Sequence, residues 1–258
     1  MFLHAYSVGA FPMADSPAPR ARRGASERRI RWYSPDPRAI IELADGGLHV
    51  GRTIARHVRG RRFMLTSDRA FERVIRACAK PGPTRGGSWL EETLINCYTL
   101  LHERGYAHSI EAWSGRGMGL SAHVSGASPE VHVRRGGKGR GESRGEEHGQ
   151  DAHATEEENG QDARGAELLG GIYGVSIGGA FFAESMFTAI DKGGSGASGV
   201  CLVAMWNHLR ACGYELMDVQ MANEHTRRFG VIEIPREEYL ARLAVAIQGA
   251  DRWRELEQ

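Results

Sequence analysis

The sequence predicts an α+β fold, a mixed α/β arrangement in which helices and strands alternate around one mostly antiparallel sheet. Three observations carry that prediction. Residues 168–187 hold two apolar runs parted by Gly178-Gly179, which reads as a β-hairpin. Residues 71–78, 91–104 and 197–212 carry apolar side chains at helical spacing. Near the C-terminus, Glu184-Ser185-Met186-Phe187 and Asp218-Val219-Gln220 put polar side chains into segments that otherwise read as strands.

Trp32-Tyr33-Ser34-Pro35-Asp36-Pro37-Arg38 is a rigid aromatic and proline turn that leads into a short strand at Ala39–Leu43. His49–Arg59 is a candidate helix and Phe63–Thr66 a strand. Ser67 or Asp68 is placed to cap a helix carrying Phe71, Val74, Ile75 and Cys78 on one face, and Pro81-Gly82-Pro83 ends it. A second helix, Glu91 to Arg104, turns Leu94, Tyr98 and Leu101 inward and stops at Gly105. His108–Trp113 follows as a strand.

Residues 134–167 contain no Val, Ile, Leu, Met, Phe, Trp or Tyr. Such a stretch cannot bury enough surface to offset chain entropy, so it is expected to be disordered or very mobile. Strands flank it, so the insert at 114–166 reads as an overgrown hairpin turn; loop closure costs grow only logarithmically with length. Its basic, Gly-rich start reads first as a solvated loop and only weakly as an RNA-binding tract.

After the insert come the hairpin strands Leu168–Ile177 and Ala180–Phe187. A helix over Ala197–Cys212 has Leu202, Met205, Trp206 and Leu209 inward and Gly213 as its stop. The strand Glu215–Gln220 is next, then a short helix Asn223–Phe229 ending at Gly230 and a strand Val231–Ile234. Pro235 opens a closing helix that buries Tyr239, Leu240, Leu243 and Ile247.

At 258 residues the chain suits one domain or two small ones with a real core. A formal net charge of +1 excludes a strongly basic or acidic class. Arginines nevertheless crowd two stretches, Arg20 to Arg31 and Arg52 to Arg62, and such clusters suit phosphates as well as solvent. Cys78, Cys97, Cys201 and Cys212 form neither a Cys-x-x-Cys nor a zinc pattern with histidine. Cys78, Cys201 and Cys212 read as buried free thiols of a reducing, cytoplasmic compartment. No run is long enough for a membrane span, and the N-terminus lacks the basic start of a signal peptide. Ser185 is not in a nucleophile elbow, and the glycines at 136–139 lack the spacing of a phosphate loop. Four of the histidines, His123, His132, His148 and His153, lie in or near the insert, while His102 and His108 read as core or helix-end residues.

That leaves the polar residues in the late strands. Alternation puts Asp218 and Gln220 on the same face. A carboxylate and an amide side by side on a buried face are costly unless they do something, so this pair is the first candidate for chemistry. Glu184 is the second, with a buried ion pair as its structural alternative.

Seven ordered motifs carry a resemblance: Tyr6-Ser7-Val8-Gly9-Ala10-Phe11-Pro12-Met13, Trp32 to Ala39, Gly87-Ser88-Trp89-Leu90, Ala107 to Trp113, Gly170-Gly171-Ile172-Tyr173-Gly174, Glu184 to Phe187, and Asp218-Val219-Gln220. In order and spacing the chain resembles the leucyl/phenylalanyl-tRNA–protein transferases over about residues 5–113 and 167–245. The resemblance implies a small N-terminal domain (1–62) and a catalytic domain (63–258) similar to the GCN5-related N-acetyltransferases, interrupted by the insert. It implies transfer of Leu or Phe, less readily Met, from aminoacyl-tRNA to an N-terminal Arg or Lys of a protein, which the N-degron pathway then reads. No ATP, cofactor or metal is expected, because an aminoacyl ester is already activated. A cytoplasmic monomer is expected.

In the family, the residue matching Gln220 is proposed to draw on the attacking amine and that matching Asp218 to polarise it. A neutral amide is a feeble base, so orientation and electrostatics are favoured over proton abstraction. Glu184 is read as the anion facing the cationic acceptor. Candidates for the donor's apolar pocket are Trp32, Tyr33, Trp113, Ile172, Phe181 and Phe182; candidates for tRNA phosphates are Arg52, Arg56, Arg61 and Arg62. Three features depart from the family: the start close to Tyr6, which suggests a misassigned start or a missing strand, the insert, and Gly199 in place of the usual lysine. Two other readings fit the same fold: an acyl-CoA-dependent N-acyltransferase and a non-catalytic module that binds tRNA or protein N-termini.

Overall fold

The computed structural model describes residues 2–15, 29–80, 89–115 and 165–256. The expected disorder of the insert, the proline stop at 81–83, and Gly87 and Ser88 lie outside the described residues. The elements run α1 (Phe2–Ser7), β1 (Phe11–Ala14), β2 (Ile30–Tyr33), β3 (Arg38–Ile41), α2 (Arg52–Arg59), β4 (Met64–Ser67), α3 (Phe71–Ala79), α4 (Glu92–Glu103), β5 (Ala107–Trp113), β6 (Leu168–Ile177), β7 (Ala180–Thr188), α5 (Ala197–Ala211), β8 (Leu216–Gln220), α6 (Glu224–Arg227), β9 (Ile232–Ile234) and α7 (Arg236–Ala246).

Seven strands form one sheet in the order β4-β5-β6-β7-β8-β3-β9. Every neighbouring pair is antiparallel except β7 and β8, which α5 joins as a crossover between parallel strands. β5 and β6 pair along their length, and Ser114 and Glu167 bond to each other, so the insert leaves the sheet at a hairpin turn as read. β3 inserts between β8 and β9, so residues before position 62 complete the sheet built by the rest of the chain. β1 and β2 make a separate two-stranded ribbon that the sequence reading missed, as it missed α1.

Apolar clusters cover both faces of the sheet. One joins α1, α3, α4 and α7 to Tyr173, Val175 and Phe182. The other joins α2 and α5 to Ile110, Ile172 and Phe181. The Gly170-Gly171 pair lets helices approach from both sides. A β-carbon on Gly170 would stand 2.6 Å from that of Ala197 in α5, and one on Gly171 would stand 2.8 Å from Val74 in α3. Gly178 sits in the hairpin turn at φ +58, a conformation that side chains disfavour.

Some local expectations need correction. Neither Ser67 nor Asp68 caps α3, whose flanking residue Ala70 makes no side-chain cap. Asp68 instead takes the Ser109 N–H (2.8 Å) and His108 Nδ1 (2.8 Å), and Ser67 binds the Leu256 N–H, because β5 and the C-terminal tail need those acceptors. Leu240 is exposed, since α7 turns Tyr239, Leu243 and Ala246 to the core. Cys212 is only partly buried, at the end of α5.

Candidate active site

The parallel ladder between β7 and β8 is short. It pairs Ala180 with Leu216, Phe181 with Met217 and Phe182 with Asp218, and then stops. Past that point each strand bulges against its other neighbour. On β7, Gly174 pairs with Ala183 and Tyr173 with Ser185, which leaves Glu184 as the extra residue. On β8, Ile40 pairs with Asp218 and Ala39 with Gln220, which leaves Val219 extra. Gln220 follows with φ +59, a left-handed backbone that only a fixed surrounding sustains outside glycine. Simple alternation therefore does not aim Gln220; the bulge and the left-handed turn do. Its Nε2 meets Glu184 Oε1 at 3.4 Å, across the gap between the two strands.

Asp218 is wholly buried and holds four donors. Oδ1 accepts from Arg38 Nε (3.0 Å) and the Gln220 N–H (2.8 Å); Oδ2 accepts from Arg38 Nη2 (2.6 Å) and the Tyr239 hydroxyl (2.8 Å). Arg38 is equally buried, donates also to the Gly9 carbonyl (2.9 Å) and lies between the rings of Phe11 and Tyr239. Burial works against its charge, but Asp218 beside it outweighs that and holds the guanidinium above its ordinary range. Burial and the Asp218 charge push the Tyr239 phenol well up. These four bonds tie Asp218 to β3, α7 and the Gln220 backbone.

Glu184 is held by two phenols. Tyr6 of α1 donates to Oε1 at 2.6 Å and Tyr98 of α4 approaches Oε2 at 3.0 Å, while the two hydroxyls lie 2.8 Å apart. Burial raises the carboxyl to about 7, against the pull of the two phenols; Asp218 adds to the rise and Arg38 opposes it. Burial also raises both phenols. Tyr173, buried beside Tyr98 with ring centroids 5.5 Å apart, has a hydroxyl without a hydrogen-bond partner among the described residues.

The six apolar candidates fall on different surfaces. Trp32 and Tyr33 are half-exposed on β2. Trp32 packs edge-on against Phe2 (5.2 Å), which packs on Tyr98 (5.4 Å), so a row of rings runs from Trp32 toward Glu184. Phe182 meets Tyr6 on that same side (4.9 Å). Ile172 and Phe181 belong to the opposite face, where Ala183 and Met186 of β7 and Val219 and Ala222 around the end of β8 are partly buried. Trp113, at the end of β5, is buried in the same cluster as Phe182, has Arg73 over its ring (5.0 Å) and donates to Thr66 Oγ1 (2.8 Å).

Arg52 and Arg56 are exposed one turn apart on α2, and Arg61 is exposed in the turn after it. Arg62 is tied down, donating to His57 Nε2 (3.1 Å) and the Gly193 carbonyl (3.0 Å). Gly199 lies under α2, where a β-carbon would meet Ile54 Cδ1 at 2.8 Å, so any side chain here has first to displace the end of the Ile54 side chain. No cluster of three or more possible metal ligands occurs among the described residues, and none of their helices is long and apolar enough to cross a membrane.

Arg38, Tyr6, Tyr98 and Tyr239 were not assigned to the site from sequence. A signal existed for Arg38: an arginine flush against an apolar strand needs a buried acid, as Asp218 needs a buried base. Tyr98 carried none, since a tyrosine on the inner face of a helix reads as core.

The family model described as leucyl/phenylalanyl-tRNA protein transferase matches residues 40–125 and 152–244. A leucyl/phenylalanyl-tRNA–protein transferase of Gloeobacter violaceus is 35% identical over 247 residues, 96% of this chain and 92% of the relative. One from Salinibacter ruber is 34% identical over 98% of this chain and 81% of its own length, and one from Anaeromyxobacter sp. (strain K) is 36% identical over 95% and 78%. The chain therefore belongs to the leucyl/phenylalanyl-tRNA–protein transferase family of aminoacyltransferases.

Proposed function

We propose that this protein moves Leu or Phe, and less readily Met, from its tRNA to the α-amine of an N-terminal Arg or Lys, and that the reaction occurs where β7 and β8 part. The observation that carries this reading is the meeting of Glu184 and Gln220 across that gap, each on a bulge just past the last shared pair. The ester is activated already, so the main task is to hold amine and carbonyl in reacting geometry, and positioning alone supplies roughly 7–11 kcal/mol in favourable cases. Gln220 orients the amine, Asp218 fixes Gln220 through its backbone, and Glu184 is the acid that faces the acceptor's amine. The donor side chain sits on the α5 face against Ile172 and Phe181, with Met186 and Val219 at its rim. An apolar pocket separates side chains that differ by a methylene by only about 1–3 kcal/mol, so selection among apolar amino acids is moderate. Trp32 and Tyr33 offer ring faces to the tRNA end, and Arg52, Arg56 and Arg61 offer charge to its phosphates.

The product carries a new apolar N-terminus, and we place this activity in the cytoplasm, upstream of degradation by the N-degron pathway. The test is a competition. With leucyl-tRNA as donor, peptides starting with Arg or Lys gain leucine and those starting with Ala or Glu do not. Equal modification of all four, or transfer from an acyl-CoA instead, contradicts the assignment.

A further inference from the structure

The contacts around Glu184 contain one hydrogen more than a carboxylate and two phenols supply. Three oxygen groups make three short contacts: Tyr6 to Glu184 at 2.6 Å, Tyr98 to Glu184 at 3.0 Å, and Tyr6 to Tyr98 at 2.8 Å. Each phenol has one hydrogen to donate, and an ionised carboxylate has none. If both phenols donate to Glu184, their two oxygens face each other at 2.8 Å with nothing between them. If one donates to the other, a contact to Glu184 is left empty. The count closes only when Glu184 carries a proton. Its O–H then points to Tyr98, Tyr98 donates to Tyr6, and Tyr6 donates back to the other carboxyl oxygen, a closed ring of three hydrogen bonds.

Among the described residues, no other neighbour makes a hydrogen bond that supplies the missing hydrogen. The hydrogen bonds of Arg38 of β3 run to Asp218 of β8 and Gly9, and that of Tyr239 of α7 runs to Asp218, none of them to the three oxygen groups. The hydroxyl of Tyr173 on β6 has no hydrogen-bond partner among the described residues. Gln220 adds only a long amide contact at 3.4 Å. Burial favours the neutral acid in the same sense, lifting Glu184 to about 7.

We infer that Glu184, Tyr6 and Tyr98 form a proton relay for aminoacyl transfer, and that the ring seen here is its proton-loaded state. This rests on the reaction proposed above. The acceptor's α-amine, in its neutral –NH2 form, attacks the ester carbonyl carbon and forms the C–N bond, while the bond from that carbon to the tRNA 3′-oxygen breaks. The amine nitrogen loses a proton to ionised Glu184, which closes the ring, and the ring returns a proton to the departing 3′-oxygen. Protons and charge balance, and no outside acid is consumed. Glu184 is the catalytic residue; Tyr6 and Tyr98 are positioning residues that share its proton.

Two measurements test this with the full chain. The first is isotope-edited infrared difference spectroscopy of the protein alone as pH is stepped. Glu111 is a second buried carboxyl raised to about 7, so the E111Q variant is the background. A protonated-carboxyl band that titrates near neutral pH in E111Q and vanishes in E111Q/E184Q supports the ring; its absence in E111Q overturns it. The second is the single-turnover rate against pH, with saturating leucyl-tRNA and an Arg-starting peptide. The parent rate rises with pH along a limb near neutrality. E184Q lowers the rate about 10²–10⁴-fold and loses the Glu184 limb, leaving only the limb of the peptide's own α-amine near pH ~8. Once Glu184 is ionised, Tyr98 donates to it and that bond lowers the carboxyl; Y98F removes it, so the limb moves to higher pH with KM little changed. A pH–rate profile in E184Q with the parent's limb unchanged, or a Y98F variant that alters KM alone, overturns the relay while leaving the transfer reaction standing. A titrating band in a parent protein that transfers nothing overturns the reaction and the relay with it.

Discussion

Replacing Arg38 with Met tests whether the buried ion pair behind Gln220 does what its geometry implies. Arg38 supplies two of the four hydrogen bonds on Asp218, at 3.0 and 2.6 Å, and both side chains are almost without solvent contact. R38M keeps much of the apolar bulk between Phe11 and Tyr239 but strands a buried carboxylate, which costs about 3–5 kcal/mol. D218L strands the guanidinium and costs a similar amount. The double variant R38M/D218L removes both charges. It still orphans the Tyr239 hydroxyl, the Gly9 carbonyl and the Gln220 N–H, so recovery is incomplete. Urea unfolding of the four proteins therefore gives a double variant less damaged than the sum of the singles by roughly 2 kcal/mol or more. Transfer activity behaves differently. D218L and the double variant lose the bond that holds the left-handed Gln220 backbone, and a misplacement of about 1 Å at a reacting group costs on the order of 10²-fold, so the double variant regains stability but not rate. Single costs that add within about 0.5 kcal/mol would show that the two side chains do not work as a pair. A double variant with full activity would show that Asp218 does not hold Gln220.

Other outcomes follow from the same geometry. Glu111 accepts from Thr66 and Ser109 and is raised by burial to about 7, as Glu184 is, from an ordinary 4.5, so the folded protein prefers both acids protonated. Their contribution to stability is therefore full below pH 4.5 and falls as pH rises toward 7; denaturant titrations at several pH values give a slope that E111Q reduces by about half. Replacing Arg52 and Arg56 together with Ala weakens tRNA binding and lowers the slope of log affinity against log salt by about 1–2, whereas an unchanged slope removes α2 from the tRNA surface. Gly171→Ala places a methyl 2.8 Å from Val74 Cγ2, so calorimetry finds the variant destabilised by about 1–3 kcal/mol, from overpacking under α3.

The order and type of the elements from β3 onward were legible because their signals are local. Helical spacing at 71–78, the glycine turn at 178–179 and the stops at Gly105, Gly213 and Gly230 act over a few residues. What stayed hidden depends on partners far away in the chain. Arg38 and Asp218 are 180 residues apart, and Tyr6 and Glu184 are 178 apart. β1 and β2 are short, with Pro12 in one and three exposed residues in the other, so neither shows the alternation of a half-buried strand. Asp218, Gln220 and Glu184 stood out as polar residues in apolar strands, and the structure gathers all three around one gap. The alternation argument reached the right face for Gln220 by an incomplete route, since a bulge and a positive φ lie between it and Asp218. The pocket candidates were chosen for size and apolarity, which cannot tell one face of a sheet from the other. Phe181 and Phe182 are adjacent and pack on opposite sides.

The most direct test of the account is mass spectrometry of an Arg-starting peptide incubated with purified leucyl-tRNA and this protein, without ATP or acyl-CoA, beside its Gln220→Ala variant. The account predicts one leucine joined through an amide to the peptide's α-amine, an equal amount of tRNA discharged, and little product from the variant. Discharge of the tRNA to free leucine with no change in the peptide would contradict it, as would a Gln220→Ala protein that transfers at the parent's rate.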